Sequence, residues 1–423
     1  MTRMESTLRH PASSRWAWPC LALLFLILLL RFPVNFLRHP PYLMDYEVYR
    51  ATAVRVLQGH GAELYAPTYS SQALFKYAPV WALFLAPLGW LPDQAGAVIW
   101  SVLSVAAFVL TFWMAAALCR REGVSTPAAL PLVVALLLAR MLIEEFMNGQ
   151  MDTWLGLLLA GTLLGIRAER PRLASLILAL AISLKLPALL LLCYAAMRRR
   201  WRLVGDTFLW LIGVNVAAAV VVLPARPWEL FGAWLHTLHA SGIDRAFEIG
   251  SQSLLALLSR FLTQDPYHLN VLTLSRSTVV GLTAGLQTAL IFLLALPAGA
   301  RPNTRRWLID GALVVTMAAV FSPTCWLETY TLLALPLYVA LALASTQPRR
   351  TLGDGRGVGL LLALLALSAL MQKRVWWWMG IRTIAGEEYT FLVAMIAPWL
   401  ALALLALLFR VRHRASESTR LRS

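Results

Sequence analysis

Residues 170–200 read RPRLASLILALAISLKLPALLLLCYAAMRRR. Residues 172–197 form one apolar run, yet arginines close both of its ends: Arg167, Arg170 and Arg172 before it, Arg198, Arg199, Arg200 and Arg202 after it. Arginine-rich loops stay on the cytoplasmic side of a membrane, so both ends of the run belong to one face. A single crossing cannot satisfy that. Two short helices turning at Lys185-Leu186-Pro187 can, because Pro187 has no N–H with which to continue a helix. The stretch thus predicts an all-α polytopic membrane protein and puts Lys185 on the outer side.

The composition agrees. With 59% hydrophobic and 14% charged residues, and a mean hydropathy of +0.68, the chain is too apolar for an ordinary soluble domain. No polar stretch is long enough to fold alone, so 1–423 reads as one integral-membrane domain. The net charge of +16 excludes little by its size and much by its distribution. Its surplus lies in the arginine clusters between apolar runs and in both termini, including the basic tail 410–423. It sets orientation, with both termini cytoplasmic, and no nucleic-acid partner is expected. The four cysteines, Cys20, Cys119, Cys193 and Cys325, form no C-x-x-C pair and imply neither disulfide framework nor zinc site. No small-residue cleavage site follows Leu21–Leu30, so a retained first helix is predicted.

Apolar runs that could span are 16–32, 95–118, 127–146, 151–166, 172–184 with 186–197, 204–223, 277–299, 307–321, 327–345, 357–371 and 390–409, giving about 12 spans. Residues 76–92 are apolar enough to cross, but counting them would put Arg120 and Arg121 outside. They read as a re-entrant or interfacial segment. Two larger polar segments, 33–75 and 225–276, then share the outer face. Within the first, Val48, Ala51, Val54 and Val56 interleave with Arg50, Arg55 and Gln58, which predicts an amphipathic helix lying on the membrane.

That loop holds Leu43-Met44-Asp45-Tyr46-Glu47-Val48-Tyr49. A carboxylate at a membrane edge is costly unless it is used. Asp45 either caps the following helix or serves as a general base. The chain has three lysines, Lys76, Lys185 and Lys373, all on the predicted outer side. They either snorkel toward lipid phosphates, Lys373 beside Trp376-Trp377-Trp378 above all, or bind an anionic group such as a lipid-linked phosphate. Arg50 and Arg245 could add to that charge. Asp152, after Asn148-Gly149-Gln150, is a cap or a site residue. Glu144 and Glu145 are adjacent and cannot share a helix face, so at least one is expected in solvent. Pro323 interrupts two apolar helices, and Trp326 and Glu328 face outward beside it. His236 and His239 have no third ligand at helical spacing, so neither metal nor cofactor is expected.

Taken in order, several segments resemble glycosyltransferase family 87, membrane enzymes of the GT-C fold that use polyprenyl-phosphate sugars. They are Asp45-Tyr46-Glu47-Val48-Tyr49, Leu57-Gln58-Gly59, Phe75-Lys76-Tyr77-Ala78-Pro79, Asn148-Gly149-Gln150, Lys185-Leu186-Pro187 and Ser322-Pro323 with Trp326. The resemblance runs from about residue 43 to 336. It implies an inverting transferase of the bacterial cell membrane that moves a hexose, mannose by resemblance, from polyprenyl phosphate to a lipid or glycan acceptor. It implies Asp45 as the catalytic base. Lys76, Lys185, Arg50 and Arg245 would bind the donor phosphate, and Glu47, Tyr49, Tyr77, Asn148, Gln150, Asp152, Trp326 and Glu328 would contact substrate. Family members often carry histidine where this chain has Glu328. The rival is a transporter or lipid flippase, for which the broken 172–197 run would be a discontinuous substrate helix.

Overall fold

A computed structural model describes residues 43–68, 73–248, 250–264, 271–295, 304–346 and 396–420, with 359, 362 and 363 besides. The predicted span 16–32, nearly all of 357–371, and Lys373 with its tryptophan neighbours lie outside the described residues.

Among the described residues every regular element is helical. In chain order these are α1 (Met44–Leu57), α2 (Pro79–Leu85), α3 (Asp93–Arg121), α4 (Leu130–Leu137), α5 (Ala139–Asn148), α6 (Asp152–Arg167), α7 (Pro171–Leu184) and α8 (Leu189–Met197). There follow α9 (Trp201–Val222), α10 (Pro227–Ala240), α11 (Leu254–Leu262), α12 (Arg276–Ala295), α13 (Thr304–Val320), α14 (Ala334–Thr346) and α15 (Ile396–Arg420). Pro79, Pro171 and Pro227 open α2, α7 and α10, where a missing N–H costs nothing.

Four described segments are long and apolar enough to cross a membrane: Asp93–Arg121, Trp201–Val222, Arg276–Leu294 and Leu327–Thr346. That is fewer than the dozen expected. The run 127–146 is split at Leu138 into α4 and α5, and Pro79–Trp90 is about 18 Å of helix against a hydrocarbon core of about 30 Å. The apolar window of 327–346 is 83% buried, against 22% in α9 and 17% in α12. The first is a core helix; the other two present their apolar sides outward.

The stretch 170–200 folds as its charges require. α7 ends at Lys185, whose backbone is extended, and a single 3-10 turn, Leu186–Ala188, starts the return. Ala174 near the start of α7 and Ala195 near the end of α8 meet in one buried cluster with Leu203. The run is therefore a hairpin with both arginine clusters at one end. α9 then lies along α7, with Ser175 Oγ donating to Leu203 O at 3.3 Å and Asn215 Nδ2 to Ser183 Oγ at 2.8 Å. At the far end, Ala78 N–H donates to Ser183 O at 3.0 Å and Val80 N–H to Asn215 Oδ1 at 3.3 Å. These bonds seat the loop carrying Lys76 against the turn carrying Lys185.

α1 corrects one expectation. Its buried side is Tyr46, Val48, Tyr49, Thr52 and Ala53, so of the stripe read from the sequence only Val48 is buried. The helix packs on protein through its tyrosines, since Tyr46 and Tyr49 bury far more apolar area than Ala51 or Val56 would.

Candidate functional site

α1 begins under constraint. Leu43 is held at φ 70°, a left-handed conformation costing a side-chain-bearing residue about 1–2 kcal/mol. It stays there because its side chain is buried and its N–H donates to Met147 O at 2.8 Å. The start of α1 is thus fixed to the end of α5. Asp45 follows in the first turn, half-buried and making no capping bond. Its carboxylate instead accepts a hydrogen bond from Gln150 Nε2.

Gln150 sits in the tight turn between α5 and α6. Gly149 closes α5 at φ 71°, and a side chain there would meet Tyr46 Cβ at 3.1 Å, so this corner requires glycine. Trp100 Nε1 donates to Gly149 O at 2.9 Å, and Gln150 N–H donates to Glu145 O at 3.0 Å. Asp152, fully buried, opens α6 and accepts both oxygens' worth of bonds from Lys185 Nζ, at 2.7 Å each. Thr329 Oγ1 lies 3.5 Å from the same carboxylate. Lys185 therefore already has its counter-ion.

Lys76 does not. Its carbonyl accepts from Trp234 Nε1 of α10 at 3.0 Å, but its half-buried ammonium makes no ion pair with a described residue. Burial lowers its pKa to about 8, and Arg245 and Lys185 push the same way against Asp45. Burial raises Asp45 to about 6, opposed first by Lys76 and then by Lys185 and Arg245, with Asp152 adding to the rise. An acid and a cation thus influence one another without forming an ion pair among the described residues, each held short of its usual charge by poor solvation.

The other predicted residues divide. Tyr49 lies one turn from Asp45, its hydroxyl 2.9 Å from that of Tyr77. Asn148 ends α5, half-buried. Glu328 is buried in the 3-10 segment Leu327–Leu333, within electrostatic reach of Asp152, Asp45 and Lys185. Trp326 is half-buried, and a Cβ on Gly250 would fall 2.1 Å from its ring. Arg245 pairs at 3.8 Å with Glu248. Glu47 projects about 200° around α1 from Asp45. Arg50 is turned away as well: it pairs with Asp93 at 2.5 Å and reaches Leu91 O at 3.4 Å. Five residues along α1, the Arg50 guanidinium lies on another side of the helix from Asp45.

Glu145 is a buried acid beside the site to which the sequence assigned no role. Glu144 pairs with Arg140, while Glu145 is fully buried and accepts from Thr153 N–H at 2.8 Å. Its signal was its place one turn before the glycine that ends α5. Among the described residues, no three or more His, Cys, Asp or Glu side chains gather as a metal site.

The sequence profile described as glycosyltransferase family 87 matches residues 75–323, more than half of the chain. No curated protein matches it. The matched stretch holds Lys76, Gln150, Asp152, Lys185 and Arg245; Asp45 precedes it, and Trp326 and Glu328 follow it.

Proposed function

The chain belongs to glycosyltransferase family 87, and from that premise we propose that it is an inverting hexosyltransferase acting on a polyprenyl-phosphate sugar, with Asp45 as its base. The observation that carries this reading is the pair of unneutralised groups, Asp45 held by Gln150 and Lys76 without a described ion-pair partner.

The chemistry follows from that arrangement. Asp45 takes the proton of an acceptor hydroxyl, whose oxygen attacks the anomeric carbon from the face opposite the phosphate. The new C–O bond forms as the old one breaks, and its electron pair leaves with the polyprenyl phosphate. Phosphate is a good leaving group at neutral pH, so it needs a cation more than an acid; a glycosidase needs a second carboxylate because its leaving group is an alkoxide. Lys76 supplies that cation with Arg245 beside it. In a poorly solvated site such a contact strengthens as charge develops on the leaving oxygen. Lys185, already bound to Asp152, holds the floor of the site instead of clamping phosphate. A base of pKa about 6 is ionised at pH 7 and more basic than an ordinary carboxylate, which suits proton abstraction.

The donor as a polyprenyl-phosphate hexose, mannose above other sugars, and a lipid or glycan acceptor come from the family resemblance. The distribution of arginines supports cytoplasmic termini, further crossings by the shorter helices, and a site facing the other side of the membrane. Membership of a transferase family favours group transfer over the transporter or flippase reading.

The test is Asp45→Asn in purified enzyme supplied with polyprenyl-phosphate mannose, following release of polyprenyl phosphate. Loss of about a thousandfold in kcat is expected for a missing general base. Turnover near that of the wild type would sink the mechanism.

A further inference from the structure

We infer that Glu145 is a positioning residue for this reaction: it locks the turn that presents Gln150 to Asp45 and Asp152 to Lys185. The inference rests on the reading of Asp45 as the base, and it adds a residue that neither the family motifs nor the charge pattern singled out.

Glu145 holds both sides of that turn. Its carbonyl accepts Gln150 N–H at 3.0 Å and also the N–H of Gly149, ending α5. Its side chain crosses to the next helix, where Oε1 accepts Thr153 N–H at 2.8 Å in the first turn of α6. From the first anchored N–H to the last the turn is only Gly149, Gln150, Met151, Asp152 and Thr153. The two side chains that engage Asp45 and Lys185 are therefore mounted on a segment clamped at each end by one residue. A free helix start leaves its first N–H groups to water; here Thr153 is buried and its N–H is taken by the Glu145 side chain.

A cap alone would not need this placement. Glu145 is fully buried and its Oε2 has no hydrogen-bond partner among the described residues, an expensive arrangement for stability. Its electrostatic neighbours are Asp152, Lys185 and Glu328, which are also neighbours of Asp45 across the site, together with Lys76 and Arg245. A displacement of the turn would move the hydrogen bond that Gln150 donates to Asp45, and a bond to the ionised form favours ionisation.

The experiment compares the pH dependence of kcat in the full-length enzyme, with polyprenyl-phosphate mannose as donor, for wild type, Glu145→Gln, Glu145→Ala, Gln150→Ala, the double alanine variant and Asp45→Asn. Glutamine keeps an oxygen for Thr153 N–H, so Glu145→Gln should stay within about threefold of wild type, whereas Glu145→Ala should lose about tenfold or more in kcat, as small misplacements do. KM for donor should hold, and the acid limb should move to higher pH in both Glu145→Ala and Gln150→Ala. The double variant should be no worse than the poorer single, since both remove one restraint. If the alanine variant does not fold, Glu145→Asp, one methylene shorter, should shift the limb in the same direction. An unmoved acid limb, additive losses, or equal damage from glutamine and alanine overturns the inference. An acid limb that persists in Asp45→Asn overturns the base reading and this inference with it; one abolished there but unmoved in the Glu145 variants overturns this inference alone.

Discussion

Lys185 and Arg198 stand at the two ends of α8, and each gives its charge to a buried aspartate, Lys185 to Asp152 at 2.7 Å and Arg198 to Asp310 at 2.6 Å. The surroundings differ. Asp310 also takes Arg412 Nε at 2.7 Å and the Tyr194 hydroxyl at 2.8 Å, with Arg306 at 3.9 Å. Arg412 goes on to the carbonyls of Leu293 and Leu294 at the end of α12. One aspartate, accepting three hydrogen bonds, so ties α8, α12, α13 and α15 together. At the other end Asp152 has one cation among the described residues, and beyond it Asp45 and Lys76 form no ion pair with a described residue. A closed network holds helices; an open one leaves charge for a ligand.

Asp45→Asn should separate the two most sharply. At the open end it removes about a thousandfold of turnover while leaving the fold intact. An acid raised from 3.8 to about 6 contributes stability that is present below pH 4 and lost as pH rises through 6. An uncharged asparagine avoids that loss, so at pH 7 the variant's thermal midpoint should match or exceed that of wild type. A lower midpoint would make Asp45 a structural residue and erase the contrast.

Asp310→Ala is the reciprocal change. It strands Arg198 and Arg412 at a buried site, and about 3 kcal/mol of stability should go with it. The limbs of the pH–rate profile should not move in protein that remains folded. A shift in either limb would mean that the closed end is wired to the chemistry.

The hairpin that creates these two ends was legible in the sequence, because arginine placement and Pro187 leave a run of that length one solution. Counting crossings put Lys76 and Lys185 on one face, but that their loops pack together was not legible. Side-chain partners were not legible. Lys185 finds Asp152 across 33 positions and Arg198 finds Asp310 across 112, and such pairings depend on which helices pack together. Asp45 invited a capping role because it sits in the first turn, but Leu43 takes the cap position and a side chain 105 residues away takes the carboxylate. Glu145 was hidden for the same reason: its task is set by the start of a different helix.

Lys76→Met tests what the openness is for. Losing one charge-assisted contact to phosphate should lower kcat/KM by about tenfold to a hundredfold. In wild type, kcat/KM should rise with pH through about 6 as Asp45 ionises and fall above about 8 as Lys76 loses its proton. In the variant the alkaline limb should vanish. The acid limb should move upward, because Lys76 is the foremost charge holding Asp45 down. An unchanged alkaline limb would assign the donor phosphate to another cation, Arg245 first.

Arg50→Met should do least, and for that reason it checks where the open end stops. Arg50 lies in the same helix as Asp45, yet its partner is Asp93 at the start of α3, with 29% and 64% of the two side chains exposed. A pair so open to solvent contributes about 0–1 kcal/mol. Helix geometry turns Arg50 about 140° from Asp45, too far around α1 to touch a phosphate held between Asp45 and Lys76. Donor KM and both pH limbs should therefore match wild type within about twofold. If Arg50→Met instead raised donor KM as Lys76→Met does, α1 would have to present a second side to the substrate. The cationic wall would then run along the helix from Lys76 to Asp93, and the open end of the bundle would be wider than the Asp45–Lys76 pair.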